Sequence, residues 1–353
     1  MELVNYTPWP HLLFERGDAE DRRYDVLVMQ GAFRFREGQL EPLDEQPSVA
    51  AVDTYLGDPR TTGLERAGAV ATRRPRSDVS VLAFARSPER RARWRVRLQV
   101  GRLSHELEVR GMHAWERDGD TWNLSEPEPC VEVPIGYERA FGGRHKVDDQ
   151  WRVEPRNPIG TGFIPKGLDD VDLVYAPQIV AVDEPDHEPG KRYEPKGWAP
   201  IPGHFAPRSE HVGTIDEAWK KEQWPKPPKD FSDAFYQSAH PDLIYPGYLV
   251  GGEAIRVDGV TWDERPVQAK LPGFFVFVLL RLVNGQMVAR PTMLDSLHLD
   301  LRDPDSDKHR AFLTWRLVLP KTDVIRRLEG RMVPLSQLQR AKGTPQSHPT
   351  PSA

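Results

Sequence analysis

Trp94-Arg95-Val96-Arg97-Leu98-Gln99-Val100, then Gly101-Arg102, then Leu103-Ser104-His105-Glu106-Leu107-Glu108-Val109-Arg110, decides the fold class. Apolar residues occupy alternate positions on both sides of the glycine turn. That is the period of a half-buried strand, and a two-residue turn holding glycine joins two such runs into an antiparallel hairpin. The outward positions carry arginine on one strand and glutamate on the other, which suits cross-strand pairing. Each exposed pair is worth less than about 1 kcal/mol, so the apolar alternation carries the assignment.

The same period recurs outward from this hairpin. Val79–Arg86 reads as a strand between Asp78 and Ser87-Pro88. Tyr24–Phe35 places Val26 and Val28 on one face and Leu27, Met29, Phe33 and Phe35 on the other, a strand buried on both sides or bulged at Gly31. Asn5–Phe14 is an aromatic, proline-broken arm, and Pro42–Pro59 is loop with a short strand near Val49–Leu56. His113–Trp122 turns at Asp118-Gly119. Towards the C-terminus, Phe274–Val283 and Gln286–Ala289 flank Asn284-Gly285, a strong hairpin signal. Leu297, Leu299 and Leu301 alternate with His298 and Asp300, and Phe312–Leu319 is the last strong strand. Val324–Leu328 reads as a short helix and Ala341–Ala353, without apolar periodicity, as disordered.

Between the two β-rich parts, Asp148–Gly252 is interrupted by proline and tryptophan. Its best helix is Ile215–Trp224, with Thr214 as N-cap, Glu217 completing a capping box and Pro225 as the stop. Asp230–Ala239 predicts a further helical turn. The expected fold is therefore mainly β: antiparallel, sandwich-like sheets in two halves, a Pro-rich loop region and a few short helices. The expected organisation is an N-terminal β region over 1–147, the Pro/Trp-rich region over 148–252, a C-terminal β region over 253–335 packing with the rest, and a disordered tail over 336–353.

Composition narrows the function classes. The chain has 353 residues, 38 % hydrophobic and 29 % charged, with a net charge of −5 and 34 prolines. Arg90–Arg97 alternates with strand residues, so nucleic-acid binding is not favoured. A single cysteine, Cys130, leaves no internal disulfide framework and no cysteine metal cluster. Met1–Pro10 does not have the build of a signal segment, and Leu271–Leu280 is shorter than the roughly 20 residues of a membrane helix. A soluble, cytoplasmic protein without a membrane partner is expected.

Searches for catalytic patterns return little. There is no phosphate loop, Gly160-Thr161-Gly162 lacks the third glycine of a dinucleotide fingerprint, and no nucleophile elbow or H-E-x-x-H occurs. Asp303-Pro304-Asp305-Ser306-Asp307 has calcium-loop spacing, but Lys308 and Thr314 stand where the glycine and the glutamate belong. His187, His204, His211 and His240 have no metal-ligand spacing. Carboxylate pairs such as Glu106/Glu108, Asp148/Asp149, Asp169/Asp170/Asp172 and Asp183/Glu184 sit in polar loops or on exposed strand faces. No cofactor and no metal are expected.

The least ordinary chemistry is Val133–Gly162, taken as the hinge between the halves. Within it Tyr137-Glu138-Arg139-Ala140-Phe141-Gly142-Gly143 joins aromatics, an adjacent acid and base, and paired glycines able to adopt positive φ. Two readings stay open: a structural corner with Arg139 as an internal tie, or a partner-binding edge. This run (VPIGYERAFGG), followed by Asn157-Pro158-Ile159-Gly160-Thr161-Gly162, resembles the signature of the DUF2169 family. Arg76-Ser77-Asp78-Val79, Gly111 to Trp115, Trp198–Arg208, Trp224-Pro225, Leu271-Pro272-Gly273, Leu294-Asp295-Ser296-Leu297 and Thr314-Trp315-Arg316 extend the likeness over about residues 1–320. Gly111-Met112-His113 departs from the family's usual G-D-R.

The resemblance implies a bacterial cytosolic adaptor or chaperone of type VI secretion. Such a protein binds a toxic effector and helps load it onto a VgrG or PAAR-type spike tip, without catalysis. The expected anchors or structural signature residues are Tyr137, Glu138, Arg139, Phe141, Gly142, Gly143, Asn157, Gly160, Gly162, Trp198, Arg208, Trp219, Trp224 and Trp262. The alternative is a carbohydrate-active hydrolase, which needs two convergent carboxylates of divergent pKa in a cleft.

Overall fold

The computed structural model describes residues 1–322 and 324–337. Residues 338–353 lie outside the described residues; of the tail expected to be disordered over 336–353, only residues 336 and 337 are described, and they are helical. The chain is mainly β with few short helices, as its alternation predicts. Sixteen strands build two sheets: β1 (Glu2–Asn5), β2 (His11–Gly17), β3 (Arg23–Arg36), β4 (Gln39–Pro42), β5 (Asp78–Arg91), β6 (Arg93–Val100), β7 (Leu103–Arg110), β8 (Cys130–Pro134), β9 (Ile179–Ala181), β10 (Ala254–Asp258), β11 (Val267–Lys270), β12 (Phe274–Leu282), β13 (Met287–Pro291), β14 (Met293–Leu301), β15 (Arg310–Pro320) and β16 (Ile325–Pro334).

The large sheet curls and runs β8-β5-β14-β15-β3-β4-β11-β10-β6-β7-β9, with β2 also paired to β3. It is mixed: β5/β14 and β4/β11 are parallel and the other neighbours antiparallel. Strands from both ends of the sequence alternate along it. The smaller sheet runs β1-β16-β12-β13. Val276, Val278, Leu280 and Leu328 of this sheet share one core with Val79, Leu297, Leu313 and Trp315 of the large one.

Several local expectations change under tertiary contacts. β3 is buried on both faces and pairs without a bulge from Arg34 to Tyr24 along β15. Gly31 is needed for close approach instead, because a Cβ there would sit 2.9 Å from the Phe33 ring and 3.0 Å from Trp9. β5 continues past Ser87-Pro88 to Arg91, and Pro88 falls in an irregular stretch of its pairing with β8, where no ladder N–H is required. Val324–Leu328 is not helical. Ile325–Pro334 is a strand because β12 pairs along one edge of it and β1 along the other. The helix over 215–224 shortens to Glu217–Glu222. Asp216 is its cap, accepting from Trp219 N at 2.7 Å, since Thr214 is engaged by the Asp230 carboxylate. The turn within 230–239 is the 3₁₀ segment Asp233–Tyr236, capped by Ser232.

Trp9 joins the sheets. It is 1 % exposed and stacks on Phe274 at 5.7 Å and Trp315 at 6.0 Å, with Phe33 tilted beside it at 5.1 Å. Trp9→Ala removes this contact and leaves a cavity, so it is expected to cost about 3–5 kcal/mol. Urea unfolding of the purified protein measures this, and a loss below about 1 kcal/mol would show that the sheets are joined elsewhere.

Candidate functional site

The signature run folds into a buried knot. Asn157, fully enclosed, donates through Nδ2 to Tyr137 O at 2.7 Å and Phe141 O at 3.0 Å, and its own carbonyl accepts from Gly143 N at 2.8 Å. Gly142 has φ +152°, and a Cβ there would lie 2.1 Å from Asn157 O. Gly160 and Gly162 are pressed likewise against Asn157 and Pro177. Glu138 accepts from Gly63 N at 2.7 Å and ties the knot to a distant loop. Phe141 packs edge-on against His187 and Tyr193, which stack on one another at 3.7 Å. Burial pushes the Tyr137 phenol far above its ordinary range. Arg139 is not the internal tie that one reading expected: it is exposed and forms no ion pair among the described residues.

Trp198 is enclosed and donates its indole N–H to His105 Nδ1 at 3.1 Å. Arg208 is buried and donates to Ile201 O and Phe235 O. Trp219 and Trp224 form an edge-to-face pair at 5.6 Å, with Trp224 69 % exposed, and Trp262 stands over Arg86. The expected residues therefore divide into a buried group and separate surface aromatics rather than one site.

Two clusters have catalytic or metal-like composition. Ser80 Oγ lies 2.9 Å from His298 Nδ1, the spacing of a nucleophile and its base. Both are buried, however, and the space beside them is about 20 Å³, enough for a water and not for a substrate. His105, His240 and Asp242 bring one ligand atom each within 4.8 Å of one another. Hydrogen bonds already engage them. His105 Nδ1 accepts from Trp198, which leaves the ring proton on Nε2, 3.5 Å from Asp242. His240 Nδ1 accepts from Asp242 N, and its Nε2 faces Pro195 O. Lys196 Nζ sits 2.9 Å from the Asp242 carboxylate. A cation would have to displace these donors beside an ammonium group.

The carboxylate pairs do not converge. Glu106 pairs with Arg97, Glu108 with Arg110, Asp149 with Lys146, Asp169 with Arg117, Asp183 with Arg95 and Glu184 with His187. Asp303 and Asp305 accept from backbone N–H groups of their own turn, and Lys308 lies 3.5 Å from Asp303.

The arrangement best suited to recognition is one that alternation did not reveal. A cleft of about 460 Å³ opens where β12 begins, β13 gives way to β14, and the 248–250 segment crosses them. Its walls include Leu249, Val250, Phe274, Phe275, Met293 and Trp315, and among the described residues no acidic or basic side chain lines it. Val250 is 69 % exposed and Met293 41 %, so apolar side chains also form its mouth. Leu249 bridges to Leu294, holding the crossing segment in place. A run of apolar residues in β12 was legible, but their meeting with 248–250 depends on chain crossings with no local signal.

The model of the DUF2169 family, described as an uncharacterized protein conserved in bacteria, matches residues 20–316. The chain belongs to this family. The match spans the knot, the Trp198–Arg208 segment and most of the large sheet. No curated protein and no solved structure matches the chain.

The buried histidines give the DUF2169 chain an acid-sensitive fold. Burial, with the Lys196 ammonium adding to it, holds His240 down to about 4, and burial with Arg66 nearby holds His298 down to about 3. An unfolded histidine titrates near 6.5, so between about pH 6.5 and 4 the unfolded chain binds protons that the folded chain does not. Stability is therefore full above about pH 6.5 and falls with acidification. Urea midpoints at pH 7, 5.5 and 4.5 should descend in that order, less steeply in His240→Gln; a midpoint rising on acidification would reverse the assignment.

Proposed function

We propose that the protein is a cytosolic adaptor or chaperone that binds a type VI secretion effector and helps load it onto a VgrG or PAAR-type spike tip, by protein–protein binding without catalysis. The observation that carries this reading is the uncharged apolar cleft with Val250 and Met293 exposed at its mouth. Apolar side chains gathered in a concave site form the kind of centre that dominates interface energies, each contributing about 1.5–3 kcal/mol on full burial. The resemblance carried by the signature run implies the same reading, and the family model that matches is itself described as an uncharacterized protein conserved in bacteria. Among the described residues the cleft offers no titratable acid or base to a reaction other than the Tyr248 phenol.

A carbohydrate-active hydrolase is the second reading, favoured by one cavity. Asp18 and Asp233 face a space of about 310 Å³ that Tyr24, Phe231 and Tyr236 also line. Burial raises the Asp233 carboxyl, with the Asp18 charge adding and Arg73 opposing. Burial also pushes Asp18 up, but hydrogen bonds from Arg22 and Tyr24 outweigh it and hold that carboxyl below its usual range. This divergence is what an acid and its partner need. It weighs less because Asp18 is already tied to Arg22 at 2.7 Å.

Affinity purification of the tagged full-length protein from its host lysate, at low salt, separates the readings. Near-stoichiometric recovery of a toxin-like or spike-tip protein is expected, with the adaptor itself missing from secreted fractions. Recovery of the protein alone, together with glycan hydrolysis that Asp233→Asn reduces by at least a hundredfold, would replace the adaptor with the enzyme.

A further inference from the structure

Strand β2 has one open edge. It pairs with β3 alone, and its other side has no neighbouring strand among the described residues. Pro10 O accepts from Gln30 N, and Asp18 N donates to Arg22 O, both towards the β3 side. In an antiparallel ladder, residues that bond to one neighbour alternate with residues whose N–H and C=O point away from it. Leu12, Phe14 and Arg16 therefore bond to β3, while the N–H and C=O groups of His11, Leu13, Glu15 and Gly17 face outward. These outward groups have no hydrogen-bond partner among the described residues.

Free edges are normally short or blocked. At the other ends of the two sheets, β1 has four residues and β9 three, while β8 and β13 close on Pro134 and Pro291. β2 has seven residues and no proline.

A groove of about 590 Å³ meets this edge, and Glu15, Arg16 and Gly17 all line it. Consecutive strand residues point to opposite faces, so a cavity that meets all three lies beside the edge rather than over one face. Glu15 and Gly17 are exposed. Ile215, Trp219 and Pro225 give the groove an apolar wall. Its other charged side chains are paired: Glu15 with Arg23 at 3.3 Å, Asp18 with Arg22 and Asp21 with Lys226. Arg16 is left without an ion pair among the described residues, and its Nε has no hydrogen-bond partner there.

We propose that β2 is extended by a strand from a partner polypeptide, a segment matching its seven residues, with alternate apolar side chains and an acidic one set against Arg16. This rests on the binding-protein reading and names how the partner is held. Backbone donors and acceptors that repeat every second residue are met by another extended backbone. Strand addition of this kind draws affinity from main-chain hydrogen bonds and selectivity from side chains at alternate positions. The groove receives those side chains, and the unpaired guanidinium selects a carboxylate among them.

Phage display of random 12-residue peptides on the full-length protein tests this. Enriched peptides should alternate apolar residues around an acid, with no central proline. N-methylation of a selected peptide, one amide at a time, should cost at least tenfold at every second residue and little between them. Glu15→Pro deletes one outward N–H and no bond to β3, and proline is tolerated on an edge strand. It should bind the peptide at least tenfold more weakly, with an unchanged thermal midpoint verifying its fold, while Glu15→Ala, which keeps the amide, binds as the unaltered protein does. Arg16→Gln should erase the preference for the acid over its amide.

No enriched peptide, N-methylation penalties without a period of two, equal binding by Glu15→Pro, or a dimer of the free protein that Glu15→Pro splits would each overturn the proposal. A host effector retained in full by Glu15→Pro would remove this assignment and keep the adaptor. A strand-paired peptide, with no effector or spike protein recovered from lysate, would keep the edge and remove the adaptor.

Discussion

Trp9 carries the contact on which the two sheets depend. Its ring forms a triangle with Phe274 of the small sheet and Trp315 of the large one, which are also 5.9 Å from each other, while Gly31 gives it the space to sit against Phe33. Sheets need both layers covered to bury their apolar faces, and β3, enclosed on both sides, has no stable alternative to this packing. Against a net stability of about 5–15 kcal/mol for a folded domain, one enclosed aromatic junction of this size matters. The same junction places Phe274 and Trp315 in the wall of the apolar cleft, so the packing that joins the sheets also shapes the surface assigned to recognition.

A buried polar seam runs beside this apolar junction. Arg316–Asp295, Arg74–Asp78, Ser80–His298 and Gln30–Thr314 all lie within the large sheet or against it. Buried ion pairs gain little net stability, because desolvation offsets their attraction. They do penalise misregistered arrangements: a slip of one residue would turn these groups to the opposite face and leave each charge unpaired. The knot around Asn157 works similarly through backbone carbonyls, and its glycines are required by the space Asn157 occupies.

Much of the fold class was legible because strand alternation is local. The hairpin over 94–110, β12 with its Asn284-Gly285 turn, and β15 follow from period and turn chemistry alone. Ile325–Pro334 was not legible, since its first residues have no strand preference strong enough to outweigh a helical reading; its strand state comes from two neighbours distant in sequence. Thr214 seemed the better cap by pattern, but Asp230 claims it. Among the candidate residues, Tyr137, Phe141, Asn157 and Trp198 were singled out by composition, and composition does not separate a buried anchor from an exposed one.

The sequence by itself determined a mainly β chain, the positions of its principal hairpins, its family, and which residues are unusual. These depend on side-chain period, on turn residues and on local motifs. Only the tertiary structure decided which strands are neighbours, that Arg139 faces solvent while Asn157 is sealed, and that Val250, Phe274, Met293 and Trp315 meet around one cleft. Each of these depends on contacts between residues far apart in the chain, whose cost in chain entropy is repaid only when the whole sheet has assembled.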